Sequence, residues 1–244
     1  MPRPSVKLSV IVPTFNEADN LARTLDSLTL DAEVVVSDGE SRDETVAIAV
    51  SRGARVVTGS RSRARQMNRG ASASSGDVLI FVHADCVLAS DAGLAIRTAL
   101  ADARVVAGSF RLVIRQAGPM LRLVALGSNF RSRYLKTPYG DQGLFVRRET
   151  FEAVGGFRDL PFLEDLAMVR ELKRCGRLVA LDAPIVTGTR HWDRLGPLPT
   201  TLLNWSMVSL YLAGVSPEKL EPVYRRLLGK PGSEERERVL AEVD

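Results

Sequence analysis

Five consecutive apolar residues, Val78-Leu79-Ile80-Phe81-Val82, run directly into the polar triplet His83-Ala84-Asp85. A run this short cannot span a membrane, and its β-branched and aromatic content predicts a strand buried on both faces. Gly76-Asp77 punctuates its start, and Ser90-Asp91 opens a helical pattern beyond it. The triplet then lies at the carboxyl end of a central strand, where open α/β sheets bind ligands. Alternation along the strand points His83 and Asp85 one way and Ala84 the other. Two donors facing one crevice suit a divalent cation that would in turn hold a diphosphate. A helix-capping Asp85 beside a packed His83 fits equally well, so the triplet alone leaves both readings open.

The preceding residues supply the context for a sheet. Leu8 to Val12 reads as a first strand closed by Pro13, followed by the loop Thr14-Phe15-Asn16-Glu17 and a helix with Leu21, Leu25 and Leu28 on one face. Glu33 to Val36 predicts a second strand ending in Ser37-Asp38-Gly39, then a helix carrying Val46, Ile48 and Ala49. A short strand at Arg55-Val56-Val57 and a helix over Arg63–Ser74 lead to the central strand. This alternation predicts a parallel sheet with helices on both faces. Polar residues gather where strands one, two and four end. Asp38 could present its carboxylate to a base or ribose, with Gly39 allowing close backbone approach; an ordinary Asp-Gly turn is the alternative.

Charge is distributed unevenly. No acidic residue falls between Glu44 and Asp77, where Arg52, Arg55, Arg61, Arg63, Arg65 and Arg69 lie, nor between Asp102 and Asp141, where Arg104, Arg111, Arg115, Arg122, Arg131, Arg133 and Lys136 lie. Such stretches suit phosphate-bearing ligands or an anionic membrane surface, or simply solvated helix faces. Cys86 and Cys175 lack both a disulfide framework and metal-site spacing, and Met1-Pro2-Arg3-Pro4 runs into a strand without signal-peptide character. A reducing, cytoplasmic setting is therefore expected. No apolar stretch approaches a membrane span.

Val10-Ile11-Val12-Pro13-Thr14-Phe15-Asn16-Glu17, Ser37-Asp38-Gly39-Glu40-Ser41-Arg42-Asp43 and His83-Ala84-Asp85 resemble the successive signatures of family 2 glycosyltransferases. The resemblance implies the GT-A fold: a mostly parallel central sheet, helices on both faces and a C-terminal helical extension. It implies a nucleotide-diphospho-sugar donor, with a UDP-sugar favoured over a GDP-sugar. Pro13, Thr14, Asn16, Glu17, Asp38 and Gly39 would hold the nucleotide. Asp85 would ligate Mg²⁺ or Mn²⁺, with His83 as an alternative ligand, and Ala84 completes the triplet. Ser37 stands where the family has an aspartate, and His83 where its metal triplet begins with one. Ser62 to Ala71, with Arg63, Gln66 and Asn68, and Tyr139-Gly140-Asp141-Gln142-Gly143 resemble a bacterial subgroup described as radical-SAM/selenodomain-associated transferases. On this resemblance Arg63, Gln66, Asn68, Gly140, Asp141 and Gln142 join the donor site.

Further on, Val105 to Ile114 predicts a strand, Met120 to Tyr134 a helix of mixed apolar and basic residues, and Tyr139 to Val146 a glycine-bounded turn entering a strand. Leu163, Leu166, Val169 and Leu172 predict the buried stripe of a helix, with Glu164 and Asp165 in its first turn. The helix dipole favours carboxylates there without any function. An inverting sugar transfer, however, needs a base within about 3 Å of the acceptor hydroxyl. The resemblance makes Asp165 that base, with Glu164 orienting the acceptor or the helix. Two short strands, Leu178–Asp182 and Pro184–Thr187, precede Arg190-His191-Trp192. Arg190 could neutralise a departing diphosphate and Trp192 stack on a sugar or base; His191 is a further candidate metal ligand. The apolar segment around Trp205 would pack on the core, form a homo-dimer or touch a membrane peripherally.

The expected organisation is one GT-A domain over 1–230: a nucleotide-binding half (about 6–101), an acceptor-binding half (about 102–194) and C-terminal helices (about 197–228). A charged tail, 231–244, follows. The expected activity is divalent-metal-dependent, inverting sugar transfer to an acceptor hydroxyl, without nucleic acid as partner. A sugar-1-phosphate nucleotidyltransferase is one alternative, though Pro13-Thr14-Phe15-Asn16 is not its Gly-rich phosphate loop. The other is a non-catalytic nucleotide-sugar-binding or membrane-associated interaction protein.

Overall fold

The computed structural model describes residues 6–228; the expectations for Met1–Pro4 and for the tail 231–244 lie outside the described residues. Strands β1 (Leu8–Thr14), β2 (Ala32–Asp38), β3 (Arg55–Thr58) and β4 (Val78–Phe81) alternate with helices α1 (Ala18–Ser27), α2 (Thr45–Ser51) and α3 (Arg63–Ser72). The four strands lie in the order β3-β2-β1-β4 and all pair in parallel, with Val10 between Val34 and Ile80.

Alternation along the strands splits the core in two. Val10, Val12, Val78 and Ile80 pack with Leu21 and Leu25 of α1 and Ala49 of α2. Ile11, Leu79 and Phe81 face the other way, onto Ala64, Met67 and Ala71 of α3. Helix α4 (Ala92–Ala99) joins the first layer through Ala92 and Ile96. Helices α6 (Arg148–Ala153) and α7 (Glu164–Cys175) join the second through Phe151, Met168, Val169 and Leu172. Each such large apolar side chain contributes about 1.5–3 kcal/mol on burial. Both faces of β4 are covered, which is why its sequence reads as an unbroken apolar run.

Beyond β4 the sheet is mixed. Strands β5 (Val87–Leu88), β6 (Val105–Ile114), β7 (Leu144–Arg147) and β8 (Arg177–Thr187) extend it as β4-β7-β6-β8-β5. β7 runs antiparallel to both β4 and β6, whereas β8 runs parallel to β6. The expected parallel sheet is thus realised in the first half and interrupted by the insertion of β7. The two expected strands around Pro184 are one, β8. Its register with β6 shifts between Ser109 and Arg111, opposite Pro184, and an irregularity tolerates a proline that cannot donate to the ladder. Leu163 is likewise not part of the helical stripe. It precedes α7 in the left-handed region (φ 63°), so the helix begins at Glu164.

Two compact units are present. β1–β8 and α1–α7, with α5 spanning Pro119–Tyr134, form the first, and residues 160–163 with 189–228 form the second among the described residues. The second holds α8 (Pro197–Leu212) and α9 (Pro217–Leu227). Within it Phe162 stacks on Tyr224, 5.2 Å between ring centres. The Tyr224 hydroxyl donates to Asn204 Oδ1 at 2.8 Å, and Asn204 Nδ2 lies 3.0 Å from His191 Nε2. No helix of the described residues is long and apolar enough to cross a membrane.

Helix α5 (Pro119–Tyr134) completes the first unit and substitutes for a missing strand. β7 pairs with β6 only at Ala107 and Gly108, so the far end of β6 lacks a ladder partner on that side. Asn129 fills the gap: its Oδ1 accepts from Leu112 N at 2.7 Å and its Nδ2 donates to Leu112 O at 2.9 Å. Leu112 is buried, so Asn129→Ala is expected to orphan two backbone groups and cost about 1–3 kcal/mol. The midpoint of urea unfolding measures this; an unchanged midpoint would show that the amide is dispensable.

Candidate active site

The loops after β1 and β2 are stitched together by side chains. Asp38 Oδ1 accepts from Thr14 Oγ1 (3.0 Å) and Ser41 Oγ (2.6 Å), and Oδ2 accepts from Ser41 N (2.8 Å). Asn16 N donates to Ser41 Oγ, and Asn16 Oδ1 accepts from Arg42 N. Glu17 N donates to Thr45 Oγ1. Beneath them the Gln66 amide donates to Thr14 O (2.6 Å) and Ser37 O (3.0 Å), while Gly39 N donates to Thr14 O. A side chain at Gly39 would collide with that amide.

Asp38, expected to face a base or ribose, has a buried carboxylate engaged by Thr14 and Ser41, and it ties the two loops together. An Asp-Gly pair in sequence says nothing of which hydroxyls will surround it. Asn16 is exposed, and Pro13 and Glu17 are partly so. The Asn68 amide is also committed to structure, donating to Phe157 O and accepting from Phe157 N.

The second cluster forms where β4 ends. Asp85, partly exposed, lies with His83 and Cys86 such that a ligand atom from each falls within 4.8 Å of the others. Ala84 points back into the first core layer, as alternation requires. Burial, reinforced by the Asp85 charge, pushes the Cys86 thiol well above its usual range, which favours the protonated sulfur while no ion is bound. The remaining pair, one carboxylate and one imidazole, fits a borderline ion such as Mn²⁺ better than Mg²⁺, which prefers oxygen throughout.

The 3₁₀ turn Gly140–Gln142 and the start of α7 close over this cluster. Gly140 N donates to Asp165 Oδ2 at 2.6 Å, and Leu166 N donates to Asp165 Oδ1 at 2.7 Å. A Cβ on Gly140 would sit 2.8 Å from His83 Nε2 and 3.3 Å from Asp165 Oδ2, so the three residues meet at one point. His83, Gly140, Asp165, Glu164 and Arg63 line one pocket, whose apolar wall includes Met67, Phe81, Leu144 and Phe157.

Neighbouring carboxylates differ in state. Glu164 is almost completely buried and bonded to Arg63 Nη1 at 3.1 Å; burial holds its pKa above the usual range despite that cation. Burial raises Asp141 to about 6, with Arg131 opposing and the Asp165 and Asp85 charges reinforcing the rise. Gln142 is buried, its Oε1 accepting from Ser132 Oγ at 2.5 Å and Arg131 Nη2 at 3.2 Å.

Sequence reasoning missed Arg131, Tyr139 and Ser41 as parts of the site. Arg131 lies 3.4 Å above the Tyr139 ring and donates to Thr137 O, fixing the segment that presents Gly140. Tyr139 directly precedes the glycine-rich turn, and that adjacency was the available signal. Arg190, His191 and Trp192 belong to the second unit. There Trp192 is buried, and the His191 ring stands edge-on to it with Nε2 beside Asn204.

A parallel α/β half ending in a stitched loop pair, joined to an acidic pocket through an inserted antiparallel strand, is the framework of the GT-A glycosyltransferases. Residues 9–155 match the family described as Glycosyl transferase family 2, and the chain belongs to that family. Glucosyl-3-phosphoglycerate synthase of Mycolicibacterium paratuberculosis is 31% identical over 94 residues. That match takes in 33% of this chain and 29% of that protein. Among solved structures, the mannosyltransferase PcManGT of Pyrobaculum calidifontis, in complex with GDP-Man and Mn²⁺, superposes with a TM-score of 0.65 at 21% identity, covering 92% of this chain and 69% of its own. Glucosyl-3-phosphoglycerate synthase of Mycobacterium tuberculosis, in complex with Mn²⁺, UDP and glucosyl-3-phosphoglycerate, gives 0.58 at 19% identity, covering 93% and 82%. The structural likenesses establish the GT-A fold.

The Arg63–Glu164 pair gives a pH-dependent expectation. A carboxyl whose folded pKa lies above its unfolded value costs stability as pH rises through that interval and nothing below it. Arg63→Met removes the opposing cation and raises the Glu164 pKa further. The variant is expected to lose about 1–2 kcal/mol at pH 8, less than a fully buried pair would because Arg63 is 57% exposed. The deficit should shrink toward about pH 4.5, which chemical unfolding at the two pH values measures. A deficit independent of pH would mean that Arg63 contributes through packing alone.

Proposed function

We propose that the chain transfers a sugar, with inversion, from a nucleotide-diphospho-sugar to an acceptor hydroxyl. The observation that carries this reading is Asp165: an oriented carboxylate at the head of α7 that shares one pocket with His83 of the triplet. Both its oxygens accept backbone N–H groups, which fixes the side chain while leaving lone pairs for an incoming hydroxyl. Asp165 takes the acceptor proton as that oxygen attacks the anomeric carbon. Glu164 is spent on Arg63 and serves to place that cation at the pocket's edge.

The donor side belongs to the nucleotide-binding half, about 6–101. Asp85 and His83 would hold Mn²⁺ or Mg²⁺, which when bound supplies positive charge to the diphosphate. Arg63 adds a second cation, and the stitched loops after β1 and β2 present Asn16 and Glu17 to the nucleoside. The GDP-Man and UDP complexes of the fold relatives support this donor class, with a UDP-sugar favoured. The acceptor-binding half, about 102–194, contributes Gly140, Asp141 and Asp165. The motifs Ser62–Ala71 and Tyr139–Gly143 further support placing the chain in the radical-SAM/selenodomain-associated subgroup of the family.

Asp165→Asn is expected to bind donor nearly as well as the parent and to transfer roughly 10²–10⁴-fold more slowly. Calorimetry with nucleoside diphosphate and Mn²⁺, alongside turnover on a panel of UDP- and GDP-sugars, measures both. Near-normal turnover in a slightly less stable variant would reduce the carboxylate to a partner of the helix dipole. Asp85→Ala, or chelation of the parent by EDTA, is expected to weaken nucleoside diphosphate binding at least about tenfold. Equal affinity with and without the ion would remove Asp85 from the donor site.

A further inference from the structure

Helix α5 is apolar on two sides. Its inner side buries Leu121 and Ser132 and meets β6 through the Asn129 amide. Its outer side carries Met120, Leu123, Leu126, Phe130 and Tyr134, all exposed, with Leu126 at 66% and Tyr134 at 65%. Spacings of three and four residues align them along one face, and the Phe130 and Tyr134 rings touch at 4.7 Å between centres. A contiguous apolar stripe left in water is an interaction surface.

Charge decides what covers it. The chain has no acidic residue between Asp102 and Asp141, which includes all of α5 and both its flanks. Among the described residues no carboxylate pairs with Arg115, Arg122 or Lys136; Arg133 alone on this helix meets one, Asp182. At the helix's carboxyl end Lys173 adds another cation, its Nζ donating to Leu135 O and Thr137 Oγ1. A second copy meeting this face would bring like charges together, whereas an anionic lipid surface accepts both the apolar stripe and the cations.

We propose that α5 docks on an anionic bilayer, its leucines and aromatic rings at the headgroup boundary and its cations among the headgroups. The inference stands apart from the proposed chemistry, but its consequence for the site is direct. On the inner side of the same helix Arg131 and Ser132 hold Gln142, so a docked α5 is tied to the turn that presents Gly140.

Flotation of the full chain with vesicles tests this. Phosphatidylcholine vesicles containing about one-third phosphatidylglycerol should carry the protein at low salt, and less at about 0.5 M salt. Pure phosphatidylcholine should carry much less. Leu123→Ser/Leu126→Ser/Phe130→Ser should weaken binding roughly tenfold or more, with Phe130→Ser alone in the same direction, and unfolding transitions measured alongside should stay near the parent's. Arg122→Gln/Lys136→Gln should flatten the salt dependence. Leu198→Ser/Leu202→Ser/Trp205→Ser, which alters the exposed residues of α8, should float like the parent. Failure of the parent to float, loss of binding only in the α8 variant, or a lipid-free dimer abolished by the α5 variant would each overturn the proposal.

Discussion

The hydrogen bond from Gly140 N to Asp165 Oδ2 is the contact on which the site depends. It joins a turn entering β7 to the first residues of α7, and it does so directly against the His83 ring. Three segments far apart in sequence therefore meet within a few ångströms. The cost is electrostatic, because Asp85, Asp141, Glu164 and Asp165 share one region. The protein manages this by differentiation: Glu164 is neutralised by Arg63, Asp141 is shifted toward protonation by burial, and Asp165 is held by backbone donors. Carboxylates whose environments differ in this way are a physical signature of assigned roles.

Rigidity in the loops after β1 and β2 comes from another buried acid. Asp38 ties Thr14 to Ser41, and Gln66 reaches from α3 to brace both strand ends from below. Such a network is stable only when every member is satisfied, and here the Asp38 oxygens and the Gln66 amide nitrogen all are. The exposed edge of the loops is thereby left to Asn16 and its neighbours, presented on a frame that need not reorganise when a ligand arrives.

Much of the architecture was legible because burial on both faces leaves a strong pattern. Val78 to Val82 and Val10 to Val12 could be little else than strands, and the helices between them follow from leucine and alanine spacing. Legibility fails where local pattern and tertiary context diverge. Leu163 matches the helical stripe yet adopts a left-handed turn just before it, and Pro184 reads as a strand end although a register shift carries β8 past it. β5 and α6 are too short to show periodicity. In the site, Glu164-Asp165 and Gly140 were visible as motifs. Neither the hydrogen bond between Gly140 and Asp165 nor the burial of Asp38 was, because both depend on residues brought together by the sheet.

Gly140→Ala tests the central contact most directly. The residue does not occupy the left-handed region, so alanine is tolerated by the backbone, and the added methyl meets His83 and Asp165 first. The quantity to measure is sugar transfer on the best donor, with nucleoside diphosphate affinity and thermal unfolding recorded on the same sample. The account predicts a folded protein that transfers at least about tenfold more slowly, since displacement of a positioned group by about 1 Å is costly. Parent-like turnover would contradict it, because the close meeting of Gly140, His83 and Asp165 would then have no part in the chemistry.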